Sequence, residues 1–274
     1  MVSQPLFVLG SPRSGTTFLC FALNQHPLIR LTNESRLFVL LKDLVEGRCL
    51  RPDLLEPEYR DRFQHFLRRN AGAWIERFYR ESLGLLKPIW GDKHTSYGDP
   101  AVLSGRDGAA MTEPRSGSCL RLIRDCLPNA KFIHLHRHPW QVAASMRRRG
   151  WVESVEAGVQ VWKQHVLEIE AFFAELDTSS RLTLSFAELV EHPAMVASEL
   201  GRFLGLDDAA PLKHFLAGQR AERTPFSSPT SDLRRPLALQ MPAEWDCVAM
   251  EKNAEDEAET ATRLGYHLAT PYES

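Results

Sequence analysis

Lysine is scarce in this chain, and arginine far outnumbers it. Basic residues do not exceed acidic ones: Lys and Arg total 33, Asp and Glu 35, and the formal net charge is -2. That balance argues against nucleic acid as a partner, which calls for a basic surface. The preference for arginine suits repeated anion recognition by planar forks. No run of about 20 apolar residues occurs, so no membrane-spanning helix is expected. No basic segment followed by an apolar stretch precedes the first strand-like run, and a cytoplasmic location is expected. The five cysteines, Cys20, Cys49, Cys119, Cys126 and Cys247, form no CxxC pair. An odd count excludes a complete internal disulfide framework and fits a reducing compartment. No cluster has metal-ligand spacing, and no metal is expected. Repeats and long polar linkers are also missing. The 274 residues are expected to form one domain, with residues 104–118, rich in Gly, Ser, Ala and charge, as a flexible insertion.

What is present is concentrated in Leu6–Pro27. Leu6–Leu9 is a short apolar run of strand type, Gly10–Gly15 a loop of small and polar residues, and Thr16–Gln25 has helical spacing. Strand, glycine-bounded loop and helix together make a phosphate cradle, because loop N–H groups and the helix N-terminus point at one anion. Gly10 and Gly15 have the separation of the nucleotide-binding loop Gly-x4-Gly-Lys-Ser/Thr. Thr16 stands where its lysine belongs, and the cation has moved forward to Arg13. An ordinary NTPase places that lysine on the β- and γ-phosphates, so this loop argues against one.

Further along, Arg30–Thr32, Pro88–Gly91, Lys131–Arg137 and Arg181–Phe186 read as strands. Arg36–Val45, Tyr59–Leu83, Leu120–Cys126, a segment from His138-Pro139 to Arg149, Glu153–Leu176, Ala194–Leu204 and Glu244–Leu264 read as helices. Residues 221–242 read as irregular. Strands alternating with helices predict an α/β fold: a P-loop-like parallel β-sheet flanked by helices on both faces.

Pro12-Arg13-Ser14-Gly15-Thr16-Thr17 resembles the 5′-phosphosulfate loop of sulfotransferases that use 3′-phosphoadenosine 5′-phosphosulfate (PAPS) and release PAP. Pro128–Ser145 resembles the same family's 3′-phosphate site, with Arg137 at a strand end and Ser145 eight residues later on the next helix. Such a pair can converge on one phosphate. Asn33-Glu34-Ser35-Arg36 is similar to the Glu-x-Arg segment of tyrosylprotein sulfotransferases, and the 21-residue separation of Arg13 and Glu34 agrees with them. That resemblance implies Glu34 as general base, with a pKa raised by partial burial. Gly91-Asp92-Lys93-His94-Thr95 resembles the family's lysine segment, implying that Lys93 bridges the phosphosulfate and the leaving oxygen. His94 competes with Glu34 as base. Cytosolic sulfotransferases have their histidine two positions after the lysine, and a one-residue shift on a strand reverses the face. Phe186–Val190 is similar to a Tyr/Phe-x-Glu/Asp-Leu segment of the family, and Arg234 or Arg235 is implied to close over the 3′-phosphate.

The resemblance implies sulfuryl transfer from PAPS to an acceptor hydroxyl by in-line displacement, with Arg13 and Lys93 stabilising the leaving oxygen. A small molecule, glycan, lipid, secondary metabolite or peptide tyrosine remains open as acceptor. A P-loop nucleotide kinase and a non-catalytic PAP-binding protein are the alternatives. His134 and His136 share a strand face, and a hydrogen-bonded structural role is expected of them. Trp90, Trp140, Trp151 and Trp162 are expected in the core, unless one stacks on adenine.

Overall fold

Alternate residues of the first strand bury on opposite sides. In the computed structural model Leu6 and Val8 of β1 (Gln4–Leu9) enter one core, Phe7 and Leu9 the other. The structure describes residues 3–45, 56–102, 117–218 and Leu264. In chain order, α1 (Thr16–Leu23), β2 (Ile29–Asn33), α2 (Leu37–Val45), α3 (Pro57–Arg77), β3 (Ile89–Lys93) and α4 (Leu120–Cys126) follow β1. Then come β4 (Lys131–His136), α5 (Pro139–Arg147), α6 (Val155–Ala174), β5 (Arg181–Ser185), α7 (Phe186–Glu191), α8 (Pro193–Leu204) and α9 (Ala210–Gly218).

The strands form one parallel sheet in the order β2-β3-β1-β4-β5. Both faces are covered, as a parallel sheet with crossover helices requires. Phe7 and Leu9 pack with α2, α3, α4 and α6 through Phe38, Leu67, Ile123 and Phe172. Leu6 and Val8 pack with α1, α8 and α9 through Leu19, Leu200 and Leu212. Because every strand runs the same way, the segments leaving β1 to β5 all emerge along one edge of the sheet. Open parallel sheets bind ligands at that edge, where neighbouring crossovers diverge.

For two helices the departure from the predicted span has a visible local cause. The first stops at Leu23 because the Asn24 side chain accepts from Leu31 N (2.7 Å) and donates to Leu31 O (3.0 Å), turning the chain into β2. Tyr59–Leu83 is not one α-helix: α3 ends at Arg77, and Phe78–Ser82 is a π-helical turn closed by Leu83 N donating to Phe78 O at 3.1 Å. The extra residue in that turn leaves Phe78 exposed and Tyr79 fully buried. Among the described residues no helix is long and apolar enough to cross a membrane. Of the insertion at 104–118 only Gly117 and Ser118 are described, and Ser118 is anchored, its hydroxyl donating to Glu168 Oε1 at 2.6 Å. The irregular stretch 221–242, Arg234 and Arg235, and the helix expected at 244–264 lie outside the described residues, Leu264 excepted.

Candidate active site

The loop after β1 folds as a small turn. Ser14 N donates to Ser11 O at 3.2 Å, and the two hydroxyls lie 2.7 Å apart. Gly15 is the N-cap of α1 with φ +95°, and a Cβ there would sit 2.4 Å from the Phe186 ring. A side chain at Gly10 would meet Leu135 O at 2.4 Å. These two glycines let the loop lie directly on β4 and Phe186. The N–H groups of Thr16 and Thr17 belong to the first turn of α1, where backbone donors lack intrahelical partners.

Phe186 joins two predicted anion sites. Its ring lies under Gly15, and the Arg137 guanidinium stacks on it at 4.4 Å. Arg137 stands one residue past the end of β4. Its Nε donates to Gln141 Oε1 at 2.9 Å, and its carbonyl accepts from Trp162 Nε1 at 3.0 Å. Ser145 is on α5, but its hydroxyl accepts from Arg13 Nε at 2.9 Å. The structure thus connects residues that the sequence assigns to opposite ends of the nucleotide.

Arg13 carries its own electrostatic tension. Burial, then the nearby charges of Arg149 and Arg148, lower its pKa. Its guanidinium lies 5.7 Å from the Trp151 ring centre, and that of Arg149 lies 5.9 Å from the same ring. Like charges drawn together in this way are relieved by an anion. Trp90 and Trp162 are buried as expected, but Trp151 is 56% exposed beside Arg13. Neither Trp151 nor Arg148 and Arg149 was singled out as an anion group from the sequence, though their run Arg147–Trp151 is plainly basic.

At the ends of β2 and β3 stands the second half of the site. Lys93 Nζ donates to Glu34 Oε1 at 2.6 Å, with the lysine side chain 1% and the glutamate 40% exposed. Burial pushes the Glu34 pKa up, but the charge and hydrogen bond of Lys93 prevail and hold it below the usual carboxylate range. The raised pKa expected for Glu34 is therefore corrected: its partner stabilises the ionised form. β3 ends at Lys93, and His94 caps the short 3-10 turn Thr95–Gly98, its Nδ1 accepting from Ser96 N at 3.1 Å. Burial lowers the His94 pKa to about 4. Its Nε2 is buried without a hydrogen-bond partner among the described residues.

Asp92 was not assigned a role from the sequence. Its carboxylate is fully buried and accepts from Thr32 Oγ1 (2.6 Å), Ser35 Oγ (2.7 Å), Ser35 N (3.2 Å) and Tyr97 Oη (2.7 Å). The hydrogen-bonded role expected of His134 is corrected as well: neither ring nitrogen has a partner among the described residues. Its imidazole packs between His136, 5.8 Å away, and Phe173, 6.0 Å away.

A model of the sulfotransferase family matches residues 5–210. The chain belongs to the sulfotransferase family. Its enzyme class is accordingly PAPS-dependent sulfuryl transfer, and the kinase alternative falls away. Among solved structures, this sulfotransferase is similar to the sulfotransferase domain of the Synechococcus PCC 7002 olefin synthase. That match has a TM-score of 0.65 at 21% identity, over 98% of this chain and 96% of that one. The sulfotransferase domain from the curacin biosynthetic pathway matches with a TM-score of 0.59 at 20% identity, over 98% and 99%. A mouse sulfotransferase, SULT7A1, complexed with PAP, matches with a TM-score of 0.52 at 15% identity, over 94% and 85%. These likenesses bear out the parallel α/β fold. No curated protein matches by sequence.

Proposed function

We propose that this sulfotransferase holds PAPS along the β1–β4 edge and uses Glu34 as the base for an acceptor hydroxyl. PAPS, when bound, supplies the activated sulfuryl group. Arg13, Ser14 and the backbone of Gly15, Thr16 and Thr17 take its 5′ end, and Arg137 and Ser145 take the 3′-phosphate. The residues fit such a ligand: the Arg13, Arg148 and Arg149 charges crowd together, and the first-turn N–H groups of α1 face the same loop. Arg234 and Arg235 remain candidates for the 3′ end.

One observation carries the choice of base. Ser96 N donates to His94 Nδ1, so the neutral ring keeps its proton on Nε2. A proton-bearing Nε2 has no lone pair for an acceptor hydroxyl. His94 Nε2 is thereby a donor and not an acceptor, and Glu34, ionised and two-fifths exposed, is the group able to take the proton. Lys93 keeps Glu34 ionised, and any loosening of that pair as charge builds on the leaving oxygen raises the proton affinity of Glu34. Preorganised cations of this kind stabilise developing charge without reorganisation.

For the acceptor we favour a small-molecule or secondary-metabolite hydroxyl over a glycan, a lipid or peptide tyrosine. Two of the structural relatives come from biosynthetic systems, which supports that class. The described cysteines Cys20, Cys119 and Cys126 are buried and not disulfide-bonded, which supports a reducing, cytoplasmic setting. The test is labelled PAPS with a panel of hydroxyl and amine acceptors. Transfer to small hydroxylated metabolites is expected. PAP binding with no turnover on any acceptor would leave a non-catalytic PAP-binding protein instead.

A further inference from the structure

Among the described residues, the non-glycine positions with left-handed backbone are Arg13, Glu34 and Arg36, with φ of +71°, +67° and +60°. Two of them flank Ser35. A left-handed backbone is strained for an L-residue with a side chain, so a turn holding two of them needs strong external contacts. Those contacts come from Asp92.

The proton directions around Asp92 can be worked out. Ser35 has one hydroxyl proton and gives it to Asp92 at 2.7 Å, so Tyr79 Oη, 2.8 Å from Ser35 Oγ, must be the donor to Ser35. Burial raises the Asp92 pKa, and the hydrogen bonds from Thr32, Tyr97 and Ser35 oppose that by favouring the ionised acceptor; the Thr32 hydroxyl lies nearer Asp92 (2.6 Å) than Gly91 O (3.1 Å). Tyr79 is delivered by the π-helical turn after α3, which explains that irregularity. The next residue along β3 completes the attachment: Glu34 N donates to Lys93 O at 2.8 Å. Adjacent residues thus divide the work. Asp92 grips the backbone and hydroxyl of the turn, and Lys93 grips the carboxylate it presents.

We propose that Asp92 is a positioning residue, clamping Ser35 so that Glu34 is held in the left-handed conformation that sets its carboxylate beside Lys93. This rests on the reading of Glu34 as base. A knot that merely stabilises the fold would show the same bonds but a different response to mutation.

The experiment is a double-mutant cycle on the full chain, with Asp92→Asn made alone and on Glu34→Gln. Asparagine keeps the shape but puts an N–H donor among groups that already donate. Three quantities are read: PAP affinity by calorimetry, hydrogen exchange of the 34–36 segment, and kcat with one acceptor. Asp92→Asn is expected to leave PAP affinity within about twofold, to speed exchange of the turn, and to lower kcat about 10- to 100-fold. On the Glu34→Gln background it should change kcat by less than about twofold, because a clamp acting only through Glu34 has nothing left to position. An equal kcat loss on both backgrounds, unchanged exchange in the turn, or lost PAP binding would overturn the clamp. If Asp92→Asn does not fold, Ser35→Ala and Tyr79→Phe cut the same network and carry the same expectations. A Glu34→Gln enzyme with undiminished kcat would instead remove the base assignment, a failure visible before the cycle is closed.

Discussion

Lys93 and Glu34 form an ion pair whose two ends see different surroundings: the ammonium is buried at 1% exposure and the carboxylate keeps 40%, with 2.6 Å between Nζ and Oε1. The charge that cannot reach water is compensated by one that can reach both water and an acceptor. Glu34→Gln should therefore do two things. It should lower kcat about 10²- to 10⁴-fold, the range for losing a positioned base, while PAP affinity holds. It should also reduce stability, by less than the roughly 3–5 kcal/mol of breaking a fully buried pair, because Glu34 is partly solvated. Single-turnover kinetics and urea melts check the two separately, and full activity in Glu34→Gln would remove the base assignment.

The same pair sets the pH dependence. The Glu34 pKa lies below the usual carboxylate range, and His94 is lowered to about 4 by burial. The acidic limb of kcat should accordingly fall well below pH 6.5, with no inflection at the ordinary histidine value. Lys93→Met removes the charge that favours ionised Glu34, so the limb should move to higher pH as kcat drops. A limb near pH 6.5 that vanishes in His94→Ala would return the role to His94.

At the proposed nucleotide site, Arg137 stacks on Phe186 and Arg13 bonds Ser145. A charge-assisted contact contributes about 1.5–3 kcal/mol, so Arg137→Ala should weaken PAP binding about tenfold or more. Adenosine 5′-phosphate, which lacks the 3′-phosphate, should lose almost nothing. Ser145→Ala should cost PAP less, since it removes a neutral partner. Equal losses for the two nucleotides on calorimetry would sink the assignment of the 3′ end.

Burial pushes His134 down to about 3, and His136 and His138 to about 4. Unfolded histidine takes a proton near pH 6.5, and the folded chain takes it only near the lowered values. The unfolded state then binds more protons between about pH 6.5 and 3, so stability must fall as the pH drops through that window. Each such site gives a slope of about 1.4 kcal/mol per pH unit at its steepest. Urea midpoints at pH 7 and pH 5 should show the loss, and His134→Leu should flatten it by about one proton. An unchanged slope in that variant would show that His134 is not the group responsible.

Much of this molecule was legible in the sequence because its information is local. Apolar runs of β type beside helical spacing specified a parallel α/β sheet, and the short loop between Gly10 and Gly15 needed only neighbouring residues to be recognised. The strand and the helix that carry Arg137 and Ser145 were equally readable, since each rests on a local pattern. Contacts between segments distant in sequence were decided only by the tertiary structure. A separation of 132 positions gave no sign that Arg13 and Ser145 hydrogen-bond. Nor did the sequence show that Lys93 would reach Glu34 and reverse the pKa shift expected from burial alone. Asp92 was invisible for the same reason: one aspartate in a short motif becomes the acceptor of four bonds only when β2 pairs with β3 and the turn after β3 brings Tyr97 inward. Local propensity acts over a few residues, whereas electrostatics and hydrogen bonding act over a few ångströms, and only the folded chain converts one into the other.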